Sequence, residues 1–142
     1  MTRDDGYNPM RWRCDVHGCF NDLCRPRIEE FAEDLPGRIS FSDVDGVVEI
    51  NGHFLFLEFK HPERGSVKTG QRILFEKLTS LSDRVSVLVI KGDAKTMNLS
   101  AMQVVRAGKF AEERAISLAD VKRGIRSWAK RARATQYATK AT

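Results

Sequence analysis

Four charged residues, Asp43, Asp45, Glu58 and Lys60, have the types and the spacing of a metal site that acts on phosphate. Carboxylates brought together repel one another, so they either take up protons or share a cation. Oxygen ligands of this kind suit Mg²⁺ or Mn²⁺, and the backbone carbonyl of Phe59 can supply one more oxygen. Lys60 is then placed to orient or deprotonate a water, or to stabilise charge that develops on phosphorus.

A β-hairpin is predicted to position these residues. Segments 43–50 and 53–60 are rich in Val, Ile, Leu and Phe, and Asn51-Gly52 separates them. Asn-Gly is well suited to the positive φ angles of a type I′ turn. Both faces of the hairpin carry apolar residues, which predicts a sheet that is covered on both sides.

The register of this hairpin follows from its two-residue turn. Ile50 must face His53, and counting back along both strands places Asp45 opposite Glu58. Asp43 then lies opposite Lys60. Because side chains alternate between the two faces of a strand, all four charged residues share one face, at the end away from the turn.

The other predicted elements indicate an α/β fold with a mixed sheet and helices on both faces. Thr69 is expected to cap the second helix, and Ser117 to Asp120 form a capping-box pattern that opens the last one. The predicted elements besides the hairpin are helices over 25–35 and 70–81, strands over 85–90 and 102–105, and a final helix from 117.

The motif Asp45, then Glu58-Phe59-Lys60, resembles the D…ExK signature of the PD-(D/E)xK nuclease superfamily. The order helix, hairpin, helix, strand is similar to the α-β-β-β-α-β core of that superfamily, a restriction-endonuclease-like fold. Gln71 at the start of the following helix is similar to the Gln-bearing motif of virus-type replication-repair nucleases and Holliday junction resolvases. One departure is Val44, which stands where the family has a proline.

The resemblance implies a role for each matching residue. Asp45 and Glu58 would be the metal-binding carboxylates, with the Phe59 carbonyl as a further ligand and Lys60 as the catalytic lysine. Gln71 would brace the attacking water or the scissile phosphate. Family members often add a glutamate from the first helix, and Glu29 is preferred over Glu30 for this role, whereas Asp43 fits an outer-shell position.

These roles imply a Mg²⁺- or Mn²⁺-dependent nuclease that hydrolyses DNA phosphodiester bonds. We expect it to be structure-directed or to belong to a repair, replication or recombination machine, as a homodimer or within a larger complex. The alternative is a non-catalytic nucleic-acid-binding or anti-defence adaptor on a decayed nuclease fold. A further alternative treats Asp43, Glu58 and Lys60 as an ordinary cross-strand salt bridge.

The residues Cys14, His17, Cys19 and Cys24 are of the types that hold a tetrahedral structural zinc. The single residue between His17 and Cys19 is tighter than the spacing of a usual zinc knuckle, so buried reduced thiols remain the alternative. An odd number of cysteines, 3 in all, favours a reducing compartment.

The chain of 142 residues is 42% hydrophobic and carries a net charge of +5, which fits a domain with an apolar core. It has no long apolar stretch, so we expect no membrane partner and a cytoplasmic location, which for a phage-encoded protein is the host cytoplasm. The sequence indicates a 1–24 arm with the possible zinc knuckle, a 25–116 nuclease-like core and a 117–142 basic helix and tail.

The basic residues concentrate after Ser117, where Asp120 is the only acidic residue. A helix lying along a DNA backbone would explain this composition, and a solvated basic face is the alternative. The candidate DNA-binding residues are Arg126, Lys130, Arg131 and Arg133.

Overall fold

The computed structural model describes residues 28–63 and 65–135. The chain divides into two compact units, residues 1–41 and residues 42–142. Within the described residues, no helix is long and apolar enough to cross a membrane.

The first unit contains a 3₁₀ helix, Ile28–Asp34. The backbone N–H of Leu35 donates to the carbonyl of Ala32 at 3.1 Å, the three-residue repeat of this tighter helix. The short amphipathic helix predicted over 25–35 is therefore present in its described part, but as a 3₁₀ helix and not as an α-helix. With three residues per turn, the predicted apolar stripe does not stay on one face.

The second unit is a mixed α/β structure, which confirms the predicted class. Its described residues form a six-stranded sheet with the order β1-β2-β3-β4-β5, and β6 pairs with β4. Strands β2 and β3 are parallel, and the other pairs are antiparallel. The elements are β1 (Gly46–Ile50), β2 (His53–Lys60), α1 (Thr69–Ser80), β3 (Val85–Gly92), β4 (Leu99–Arg106), β5 (Lys109–Phe110), β6 (Arg114–Ala115) and α2 (Leu118–Ala134).

The predicted hairpin register is confirmed along β1 and β2. Ile50 pairs with His53, and the ladder continues to Gly46 opposite Leu57. Asn51 and Gly52 both have positive φ, 51° and 77°, as a type I′ turn requires. The ladder ends at this point, so β1 begins at Gly46 and not at the predicted residue 43.

The two helices cover opposite faces of the sheet, as the apolar pattern predicts. Helix α1 places Phe75 against Val87, Val89 and Val105, which are all buried. On the other face, Val121 of α2 joins a second buried cluster, which the alternate residues of the strands form. This second cluster contains Ile90, Leu99, Met102 and Val121, with Leu57, Phe59, Leu88, Val104 and Ile125 packed against it.

Two further predictions need correction. Thr69 is the first residue of α1, and the N-cap is Lys68, which makes no side-chain capping bond. Strands β5 and β6 were not predicted, and β4 is longer than the predicted 102–105. The β4–β5 turn uses Ala107 and Gly108, both with positive φ, and Ala107 carries no recognisable turn signature.

Helix α2 begins with the capping box that the sequence predicts. Ser117 Oγ accepts from the backbone N–H of Asp120 at 3.2 Å, and Asp120 Oδ2 accepts from the backbone N–H of Ser117 at 3.0 Å. This bond from the Ser117 backbone is the main reason why the pKa of Asp120 lies below its ordinary value.

Removing this cap should destabilise the second unit. We expect Ser117→Ala to lower the free energy of unfolding by about 1 kcal/mol, measured by urea denaturation at pH 7. Because the pKa of Asp120 is lowered on folding, its contribution is present above its ordinary pKa and is lost as the pH falls through the lowered one. Asp120→Asn should remove that acid-dependent part, and an unchanged stability in both variants would contradict the role of the cap.

Candidate active site

Three of the candidate catalytic residues, Glu58, Lys60 and Asp45, lie at or beside the carboxyl end of β2. Glu58 and Lys60 are the last residues of β2 on the face that α1 covers, and Asp45 directly precedes β1. Ligands of open α/β sheets bind beyond the carboxyl ends of parallel strands. A substrate is therefore expected beyond the end of the sheet at Lys60.

Glu58 is a buried acid with only one of its two oxygens paired. Glu58 is 6% exposed, and Lys60 Nζ lies 3.0 Å from Glu58 Oε1. Glu58 Oε2 is buried and has no hydrogen-bond partner among the described residues. A buried carboxylate oxygen without a donor is unfavourable, so this position favours a cation or another donor.

Asp45 is fixed to the neighbouring strand by its side chain. Its Oδ2 accepts a hydrogen bond from the backbone N–H of Phe59 at 2.6 Å. That bond replaces the backbone pairing that would have continued β1 toward Asp43. The N–H and the C=O of one strand residue point to the same side, so the Phe59 carbonyl is also directed toward the end of β1, as a ligand there would need.

Gln71 lies in the first turn of α1, and its side-chain oxygen Oε1 is buried without a partner. Helix α1 follows β2 through a loop and leads to the amino end of β3. The N-terminus of α1 therefore lies at the end of the sheet where β2 ends. Gln71 and Glu58 thus each contribute one buried, unpaired oxygen acceptor to this part of the second unit.

Asp43 and Glu29 are two further predicted ligands within the described residues. Asp43 is exposed and forms no ion pair within the described residues. Of the alternative salt bridge of Asp43, Glu58 and Lys60, the structure has only the pair of Glu58 and Lys60, which lies within one strand. Glu29 lies in the 3₁₀ helix of the first unit. No group of three or more His, Cys, Asp or Glu side chains arranged to hold a metal occurs in 28–63 or 65–135.

Lys91 is a charged neighbour of this site that the sequence analysis missed. It lies beside Lys60 in the parallel register of β2 and β3, and its Nζ is 2.6 Å from Glu113 Oε1. The sequence does carry a signal for it, since Lys91 ends the apolar run of β3 just as Lys60 ends that of β2. Two lysines therefore lie in one row at this end of the sheet, and each is paired with a glutamate.

The candidate DNA-binding residues lie on α2, on the opposite face of the sheet from Glu58 and Lys60. Three of them share one exposed groove along the helix, and the fourth, Arg131, lines a cavity between α2 and the sheet. The three residues in the exposed groove are Arg126, Lys130 and Arg133. The predicted zinc ligands Cys14, His17, Cys19 and Cys24 lie outside the described residues.

Comparisons with other proteins leave the family open. No protein-family model, curated protein or solved structure matches this chain significantly.

The ion pair of Glu58 and Lys60 allows a direct test of how this site is held. Removing one partner of a buried pair leaves an uncompensated charge, so Lys60→Met should lower the free energy of unfolding by about 3 kcal/mol. Adding Glu58→Gln to Lys60→Met should restore most of that loss. Urea denaturation measures all three proteins, and Lys77→Met, which changes an exposed lysine, is the matched control. A loss no larger than in the control would show that the pair is not coupled.

Proposed function

We propose that the protein is a metal-dependent deoxyribonuclease whose active site is formed by Asp45, Glu58, Lys60 and Gln71. The observation that carries the proposal is the buried Glu58 carboxylate, with one oxygen paired to Lys60 and the other without a partner. Asp45, held at the Phe59 N–H, supplies a second carboxylate at the same strand end. The resemblance of this set to the D…ExK signature adds independent support.

Mg²⁺ or Mn²⁺ is the cofactor that these residues fit. Glu58 Oε2 accepts no hydrogen bond from the described residues. Asp45 is exposed and is held at one of its oxygens by the Phe59 N–H, and the Phe59 carbonyl is directed toward the end of β1. Oxygen donors of this type suit a hard divalent cation, which completes its shell with waters and a substrate phosphate. When bound, the cation would act as a Lewis acid toward the scissile phosphate and the attacking water.

The protein's own residues would complete the reaction. Lys60 would place its positive charge against the phosphate and stabilise the negative charge that builds up during attack. The unpaired Gln71 Oε1 would accept a hydrogen bond from the attacking water and so orient it. Lys91, once released from Glu113, could hold a neighbouring phosphate of the strand.

The resemblance to replication-repair nucleases and junction resolvases favours branched or otherwise structured DNA as the substrate, within a repair, replication or recombination machine in the cytoplasm. A second candidate is a non-catalytic DNA-binding adaptor. The engagement of Lys60 by Glu58 favours it, because a lysine held in an ion pair is not free to contact phosphate. A cleavage assay separates the two.

Cleavage should depend on a divalent cation and on both carboxylates. We expect the protein to cut at least one of a panel of single-stranded, duplex, flapped and four-way DNAs with Mg²⁺ or Mn²⁺, and to stop cutting in EDTA. Asp45→Asn and Glu58→Gln should abolish cleavage while DNA binding persists, and Lys60→Met should slow it about a hundredfold. Denaturing gels measure the product, and circular dichroism checks that each variant is folded.

Two results would contradict this proposal. Equal cleavage in EDTA would exclude the cation, and equal cleavage by Glu58→Gln would exclude this site. Binding without cleavage of any substrate under all metal conditions would favour the adaptor.

The exposed basic groove of α2 should contribute to DNA affinity without contributing to chemistry. Replacing Arg126, Lys130 and Arg133 together by Ala should reduce the slope of log affinity against log salt by about 3, because each phosphate contact releases counterions. Fluorescence anisotropy at several salt concentrations measures the slope. The double variant Lys95→Ala/Lys109→Ala changes exposed lysines elsewhere and is the control. An unchanged slope would mean that this groove faces solvent or a protein partner.

A further inference from the structure

A cavity of about 520 Å³ lies between α2 and the sheet, on the face opposite Glu58. Its volume is within the roughly 300–1,000 Å³ range of small-molecule sites. Both ends of α2 are defined by hydrogen bonds. The capping box of Ser117 and Asp120 holds the first turn, and the Asn51 side chain donates to the Ala132 carbonyl at 3.1 Å near the last.

One end of this cavity is polar and positively charged. Ser86 on β3 is a buried polar residue, 7% exposed. The register that pairs Val87 with Val105 places Arg106 opposite Ser86 on the next strand. Both residues line the cavity, and Arg131 lines it from α2.

The guanidinium groups at this end are not neutralised. Arg106 has no acidic partner among the described residues, and Arg131 Nη1 donates to Ser127 Oγ at 2.6 Å, a neutral acceptor. Where an acid does line the cavity, at Asp120, it is already paired with Arg123. This end of the cavity therefore offers one hydroxyl, from Ser86, and two guanidinium groups, from Arg106 and Arg131. Such a set of donors binds phosphate.

The middle of the cavity is apolar and includes one large aromatic side chain. Leu88 and Val104 form its floor on the sheet, and Ile125 and Trp128 line it from α2. An indole beside aliphatic side chains favours a flat, aromatic group. A ligand that satisfies both parts carries a phosphate at one end and a planar aromatic ring at the other.

We propose that this cavity binds a nucleoside monophosphate unit. Its phosphate would lie at Ser86, Arg106 and Arg131, and its base would stack on Trp128. The unit comes either from a free mononucleotide or from the phosphorylated end of a DNA strand, since both present the same groups. This site is separate from Asp45, Glu58 and Lys60 and does not require the proposed nuclease activity.

Trp128 itself can report on binding. The chain contains 2 tryptophans, so Trp12→Phe leaves Trp128 as the only indole. We expect a nucleoside 5′-monophosphate to quench its fluorescence with saturation, and the unphosphorylated nucleoside and inorganic phosphate to bind at least about tenfold more weakly. A 5′-phosphorylated oligonucleotide, compared with its unphosphorylated form, tests the strand-end source. Saturation by either phosphorylated ligand supports the site.

Two variants test the location of the ligand. Arg106→Ala removes a phosphate contact and should weaken binding at least about tenfold. Gly124 lines the cavity from α2, and a Cβ there meets no atom within 4 Å, so Gly124→Leu should fill the cavity without disturbing the helix. Lys122→Ala changes an exposed α2 residue outside the cavity and is the matched control.

The proposal is overturned if neither phosphorylated ligand saturates the signal, or if folded Arg106→Ala and Gly124→Leu proteins bind as tightly as Lys122→Ala. The Glu58→Gln variant keeps this test independent of catalysis. It should bind the monophosphate normally, so loss of cleavage and loss of cavity binding are distinguishable. Binding lost in Glu58→Gln but kept in Arg106→Ala would instead place the nucleotide at the candidate active site.

Discussion

The turn at Asn51 and Gly52 determines the arrangement of both faces of the second unit. Positive φ at both residues closes β1 onto β2 in one register, and that register brings Asp45 to the strand end that carries Glu58. The Asn51 side chain also donates to the Ala132 carbonyl and so fixes the end of α2. A shift of the hairpin register by one residue would turn the charged side chains to the other face of the sheet. It would also displace Asn51 from the Ala132 carbonyl at the end of α2.

The parts of the fold that the sequence predicts correctly are those in which one local rule leaves a single arrangement. A two-residue turn permits one register, and an apolar pattern on both faces requires two covering layers. The errors occur where a side chain competes with the backbone or where an element is too short to show a period. Asp45 takes the Phe59 N–H and ends β1 early, and β5 and β6 have only 2 residues each.

The residues of the candidate site also fall into two groups, those that a local rule places and those that depend on tertiary packing. Register arithmetic alone places Glu58 and Lys60 together with Asp45, because all three belong to one hairpin. The burial of Gln71 depends on how α1 is rotated over the sheet, and the position of Lys91 depends on the parallel register of β2 and β3. Both are set by tertiary packing across a loop, which no local pattern specifies.

The energetics of Glu58 argue that this position serves more than stability. A buried ion pair replaced by well-packed apolar residues is often neutral or even stabilising, so the pair with Lys60 is not required to hold β2 in the sheet. Leaving Glu58 Oε2 without a donor costs a further ~1–3 kcal/mol. Gln71 adds a second buried oxygen with the same deficit. Both deficits are unpaired acceptors, so a bound cation or a donor-bearing ligand relieves both, whereas an extra carboxylate or anion would not.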